Sequence, residues 1–122
     1  MERRTVDFNA SDSPIQLILE GHGASSAAVL VGTARLQAGQ RIPPEGESTH
    51  PADEYSYVLR GCARVTVGGQ ETDCGPGTLM LIPAGEGHVT AGLEDTEVLW
   101  WWAGQPADFT ALKAQYPDLP TS

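Results

Sequence analysis

Three residues of this chain have side chains that could act together: His50 and Glu54, four positions apart in "ESTHPADEYSYVLRG", and His88, which closes "GTLMLIPAGEGH". A neutral imidazole and a carboxylate are good ligands for divalent first-row metals. Two histidines with one carboxylate can fill one face of an ion and leave other positions open. Spacing alone leaves two readings of His50, a ligand or a solvent-facing residue at the entrance to a strand. In an uninterrupted strand, residues four apart are separated by roughly 13 Å, at about 3.3 Å of rise each, too far to share an ion. A common site therefore requires the chain to bend between His50 and Glu54, where Pro51 disfavours a continuous ladder.

The elements that must hold these residues read as strands. "IQLILE", "AAVLVGTARLQ", "YSYVL", "ARVTV", "GTLMLIPA" and "TEVLWWW" are rich in aliphatic, β-branched and aromatic residues and are bounded by Gly, Pro and Asp. Short strands at this spacing predict an antiparallel sandwich or barrel. The Gly68-Gly69 pair predicts a two-residue hairpin turn. Its register sets Val67 opposite Gln70 and Ala63 opposite Cys74, which leaves Cys62 one position away on the other face and argues against a disulfide. After Gly104, Phe109, Leu112 and Tyr116 fall near helical spacing, with Pro106 suited to a first turn and Pro117 to an end. A short helix over about 106–116 is expected, packed on the strands. His22, in the turn-like "EGHGAS", is read as exposed and chemically idle.

With 122 residues and no linker or repeat, the chain is read as one domain, 1–122. Seven basic against sixteen acidic residues give a formal charge of −9, which repels phosphate backbones and argues against nucleic-acid binding. The start "MERRTVDFNASDSP" has no apolar signal core, and no later apolar run approaches a membrane span. The expected location is the cytoplasm, with no membrane partner.

The two segments together resemble the paired motifs of the cupin family, G-x5-H-x-H-x3,4-E-x6-G and G-x5-P-x-G-x2-H-x3-N. His50, Glu54 and Gly61 fall at the second-histidine, glutamate and closing-glycine positions of the first motif; Gly77, Pro83, Gly85 and His88 match the second. The resemblance spans about residues 34–102. It implies an all-β fold, a small antiparallel jelly-roll-like barrel with a metal at its mouth, and it supplies the bend at His50. The departures are specific. Ser48 stands where the family has its first histidine, Gly92 where it has asparagine, and Ile42 where it has glycine, and the loop "RIPPEGEST" is lengthened. The implied metal ligands are His50, Glu54 and His88, with Ser48, Glu47 and Glu45 as auxiliary candidates.

What the resemblance implies for function is a metal-dependent enzyme acting on a small organic molecule held in the barrel. The ion would be Fe2+, Mn2+, Ni2+ or Zn2+, and the chemistry dioxygenase-type oxidation or metal-assisted isomerisation, cyclisation or lyase chemistry. The alternative is a noncatalytic module that binds or senses a small molecule in the same cavity. Tyr55, Tyr57 and Glu86 are acid-base candidates by their nearness in sequence. Strand alternation sets Tyr55, Tyr57 and Leu59 on one face and Glu54, Ser56 and Val58 on the other; it likewise separates Trp101 from Trp100 and Trp102. If Glu54 faces inward, an N-terminal segment or a second subunit must cover the aromatic face. Members of the family commonly pair in this way, so a homodimer is expected.

Overall fold

The computed structural model describes residues 1–21 and 27–116; His22 and Pro117 lie outside them. Among the described residues, nine strands form two antiparallel sheets. β1 (Ile15–Gly21), β2 (Ala28–Leu36), β4 (Asp53–Arg60), β7 (Leu79–Ile82) and β9 (Thr96–Gly104) make the first, in the order β1-β2-β9-β4-β7. β3 (Arg41–Ile42), β5 (Ala63–Val67), β6 (Gln70–Cys74) and β8 (His88–Gly92) make the second, in the order β3-β8-β5-β6. The all-β architecture is that expected from the strand-rich sequence, and the two inner faces enclose the core.

Period-two alternation decides what goes inside. On β9, Thr96, Val98, Trp100 and Trp102 are buried; on the adjacent β4, Ser56 and Val58 are buried, and Glu54 shares their face. Leu17, Leu30, Leu36, Val65 and Ile82 join them in one apolar cluster. Gly68 and Gly69, both at positive φ, turn β5 into β6 with Val67 opposite Gln70 and Ala63 opposite Cys74, and both cysteines are free. At Gly61, φ is +85°, and a Cβ there would lie 2.2 Å from the carbonyl oxygen of Asp95. The closing glycine of the first motif is thus a steric requirement of the bend from β4 to β5.

The C-terminal helix is shorter than its expected span. Pro106–Phe109 form a 3-10 turn, and only Thr110–Gln115 are α-helical (α1). Pro106 starts the turn because its missing N–H is not needed there, and the Asp108 carboxylate accepts the backbone N–H of Gln105 at 2.9 Å. Phe109, fully buried, fastens the segment to the sheets, while Leu112 and Tyr116 pack partly against the core.

The outer face of the first sheet is covered only in part. Residues 9–13 lie over its β1–β2 end: Gln16 donates to Ser11, and the Arg35 guanidinium binds Asn9 and the Ser11 carbonyl. At the β4–β7 end, Tyr57, Leu59, Leu79 and Leu81 remain exposed.

Candidate metal centre and cavity

β4 and β8 bring Glu54 and His88 from opposite sheets, and His50 comes from the loop entering β4. The chain bends at Pro51 and Ala52, so His50 Nε2 lies 3.4 Å from Glu54 Oε1. Hydrogen bonds fasten this loop to the turn before β8. Ser48 and His88 exchange N–H···O bonds of 2.9 Å, the Gly85 N–H donates to the His50 carbonyl at 2.9 Å, and the Ala84 N–H donates to Asp53 Oδ1 at 2.9 Å. The two motif segments are therefore stitched together by backbone, and the side chains follow.

Each imidazole is oriented by a nearby carbonyl. His50 Nδ1 stands 2.8 Å from the Ala52 oxygen and His88 Nδ1 3.1 Å from the Glu86 oxygen. A carbonyl oxygen can only accept, so each Nδ1 carries a proton, and in the neutral ring each Nε2 presents a lone pair. This is the outer-shell arrangement that fixes the tautomer of a ligating histidine.

Glu54 is held as firmly. Its Oε1 accepts the Trp102 indole N–H at 2.8 Å and its Oε2 accepts the Ser56 hydroxyl at 3.2 Å. The His50 ring stacks on Trp102 with centroids 4.1 Å apart and meets the edge of His88 at 4.9 Å. Burial pushes the Glu54 carboxyl up. The His50 ring, the Trp102 N–H and the charge that His88 and His50 carry when protonated outweigh it, and the group ends below the ordinary glutamate value.

This geometry leaves one deficit. His50 Nε2 is buried without a hydrogen-bond partner, since in the neutral tautomer it faces Glu54 Oε1 as one acceptor facing another. A proton or a metal ion resolves that opposition. One ligand atom from each of His50, Glu54 and His88 lies within 4.8 Å of the others, so the three could hold a metal ion. A hard-to-borderline divalent cation suits this nitrogen and oxygen donor set.

The three residues line a cavity of about 420 Å³ between the sheets, partly roofed by Leu112, Gln115 and Tyr116 of the C-terminal segment. Ser48 and Glu47 also line it, and the Glu47 carboxylate packs against Gly87, where a Cβ would meet it at 2.7 Å. Glu45 is exposed and does not line the cavity. Tyr55 and Tyr57 point to the outer face: Tyr55 stacks on Trp101 at 5.5 Å, and Tyr57 is exposed. Glu86 contributes its carbonyl to His88 while the residue itself remains exposed. None of these three lines the cavity. No motif points to Trp102 and Ser56, which hold the Glu54 carboxylate. Alternation puts Ser56 on the face of Glu54, but only the β4–β9 register sets Trp102 opposite Glu54.

A family model described as a cupin domain matches residues 32–104, and the chain belongs to the cupin family. Solved structures agree on the fold. Salicylate 1,2-dioxygenase from Pseudoaminobacter salicylatoxidans superposes with a TM-score of 0.57 at 15% identity, covering 71% of this chain and 23% of that one. The chain thus spans about a quarter of the dioxygenase's length, and a variant of that enzyme has been solved in complex with gentisate. KdgF from Halomonas sp. matches at TM-score 0.57 and 18% identity, over 74% of this chain and 91% of its own. A conserved protein of unknown function from Streptococcus pyogenes matches at TM-score 0.58 and 18% identity, over 87% and 90%. No curated protein matches the chain in sequence. Among the described residues, no helix is long and apolar enough to cross a membrane.

Proposed function

We propose that the protein is a metal-dependent cupin enzyme acting on a small organic molecule bound between its sheets. The observation that carries this reading is the buried Nε2 of His50, unpartnered and facing the Glu54 carboxylate beside His88 inside a cavity of ligand size. His50, Glu54 and His88 would hold the divalent ion, whether Fe2+, Mn2+, Ni2+ or Zn2+. When bound, such an ion supplies Lewis acidity towards a carbonyl or enolate oxygen, or redox chemistry with dioxygen if it is iron. The chain's own contributions are separate. Ala52 and Glu86 fix the tautomers, Trp102 and Ser56 hold the carboxylate as an anion, and apolar walls exclude water from the reacting molecule.

Dioxygenase-type oxidation and metal-assisted isomerisation, cyclisation or lyase chemistry all suit this arrangement. The neighbours named above include a dioxygenase, at an identity that supports the fold alone. A second reading, noncatalytic binding or sensing of a small molecule, draws support from the outward placement of Tyr55, Tyr57 and Glu86. That placement takes all three acid-base candidates off the cavity wall. A homodimer closing over Tyr57, Leu79 and Leu81 belongs to the same proposal, and the two free thiols suit a reducing, cytoplasmic setting.

Elemental analysis of the purified protein, with His50→Ala and His88→Ala beside it, tests the metal. About one ion per chain is expected, falling to near zero in either variant, because each change leaves two protein ligands. Full stoichiometry in both variants would overturn the assignment.

A further inference from the structure

The walls of the cavity carry carboxylates but neither ammonium nor guanidinium groups. The chain has seven lysines and arginines, and all of them are among the described residues, since residues 22–26 and 117–122 contain neither type. None of the seven lines the cavity. Arg35 binds Asn9 and the Ser11 carbonyl on the outer face; Arg60 pairs with Glu97, and Arg64 with Asp73. Lys113 pairs with Glu20 at 2.7 Å. Arg41 adjoins the cavity residue Ile42, but its guanidinium donates to the carbonyls of Pro43 and Gly46 at 2.8 and 2.7 Å. The carboxylates are distributed the opposite way. Glu47, Glu54 and Asp108 all line the cavity, within a protein of net charge −9.

From this pattern we infer that the cavity takes an uncharged, compact and largely apolar molecule bearing a carbonyl or hydroxyl oxygen, and that it discriminates against carboxylates. The inference rests on the proposed small-molecule function and adds the substrate class. A carboxylate entering between the sheets loses its hydration and finds no guanidinium or ammonium to replace it, while Glu47 and Asp108 repel it. A neutral ketone, enol or phenol has no such penalty. Its oxygen can turn towards the His50–Glu54–His88 end, and its carbon skeleton meets Leu36, Ile82, Met80, Val98 and Trp100. A bound divalent ion offset by Glu54 adds positive charge at that end, as a proton on His50 or His88 would, and either favours an anion. The inference is therefore sharpest in the metal-free protein with both imidazoles neutral.

Isothermal titration with isosteric pairs tests it: acetophenone against benzoate, and 2-acetylnaphthalene against 2-naphthoate, on metal-stripped and on zinc-loaded protein. The methyl ketone should bind at least tenfold more tightly than its carboxylate in the metal-free form, with a smaller ratio after zinc loading. Thr90→Lys, which introduces an ammonium from a half-buried cavity position on β8, should invert the preference. Equal or tighter binding of the carboxylates to metal-free wild-type protein would overturn the inference, as would no binding of either ketone. Because the decisive comparison uses stripped protein and needs no turnover, it stands whether or not the metal assignment holds.

Discussion

His50 and Glu54 face one another as two acceptors, and Ser48 stands beside them, bridged to His88 through its backbone. A neutral hydroxyl is a poor ligand, whereas an imidazole at the same position would add a nitrogen donor to the site. Ser48→His should therefore tighten metal retention, and it should slow turnover if the open coordination place belongs to the substrate. Ser48→Ala should be mild, costing at most about one hydrogen bond, typically about 0.5–1.5 kcal/mol. Competition with a chelator, run on the three proteins together, gives the measurement. No gain for Ser48→His would mean that the lengthened loop directs the side chain at 48 away from the ion. The cysteines differ at the same scale. Burial pushes the Cys74 thiol up, and the neighbouring Cys62 and Asp73 add to that, so little thiolate is present at neutral pH. Half-buried Cys62 should be alkylated first in the folded protein and Cys74 only after unfolding, as read by peptide mass after timed iodoacetamide treatment. Equal rates for the two would contradict the packing around Cys74.

At the scale of elements, the C-terminal segment depends on one side chain. α1 has six residues, too few to be stable alone, and none of them is fully buried. Phe109, fully buried at the junction with the 3-10 turn, holds it in place, helped by the Lys113–Glu20 pair. Phe109→Ala should cost about 3–5 kcal/mol of stability, the usual range for emptying a buried aromatic site. It should also loosen the roof formed by Leu112 and Tyr116, seen as faster amide exchange across 109–116 than across β9. Uniform exchange across both segments would show that the helix is anchored by other contacts. The hairpin at Gly68-Gly69 and the separation of Trp101 from Trp100 and Trp102 were both legible in the sequence, because a two-residue turn fixes register and strand alternation divides the faces. The length of the helix was not. Phe109, Leu112 and Tyr116 suit a helix at their spacing, but spacing does not distinguish a 3-10 first turn from an α-helical one.

For the whole molecule, the N-terminal residues cover the wrong end of the first sheet to shield its aromatic face. Ser11 and Asn9 serve Gln16 and Arg35, whereas Tyr57, Leu59, Leu79 and Leu81 stay exposed beside the edge strand β7. An apolar patch next to an open strand edge is a surface that proteins usually cover. If a second copy covers it, light scattering on a sizing column should give a dimer for the wild type and a monomer for Leu81→Lys, with the fold of the monomer intact. A wild-type monomer at all concentrations tested would remove the homodimer from the proposal.

The sequence by itself determined the all-β class, which residues of β4 and β9 share a face, and the hairpin register, while its resemblance to the family's paired motifs singled out His50, Glu54 and His88 as candidate ligands. The first three follow from local periodicity and turn chemistry, which act over a few residues. Tertiary structure alone decided that Tyr55, Tyr57 and Glu86 lie off the cavity, that Trp102 and Ser56 hold Glu54, and that no lysine or arginine lines the wall. Glu54 meets Trp102 across 48 positions of chain, a contact set by which strands pair and in what register. That pairing is chosen by the fit of the entire core, and no local pattern records it.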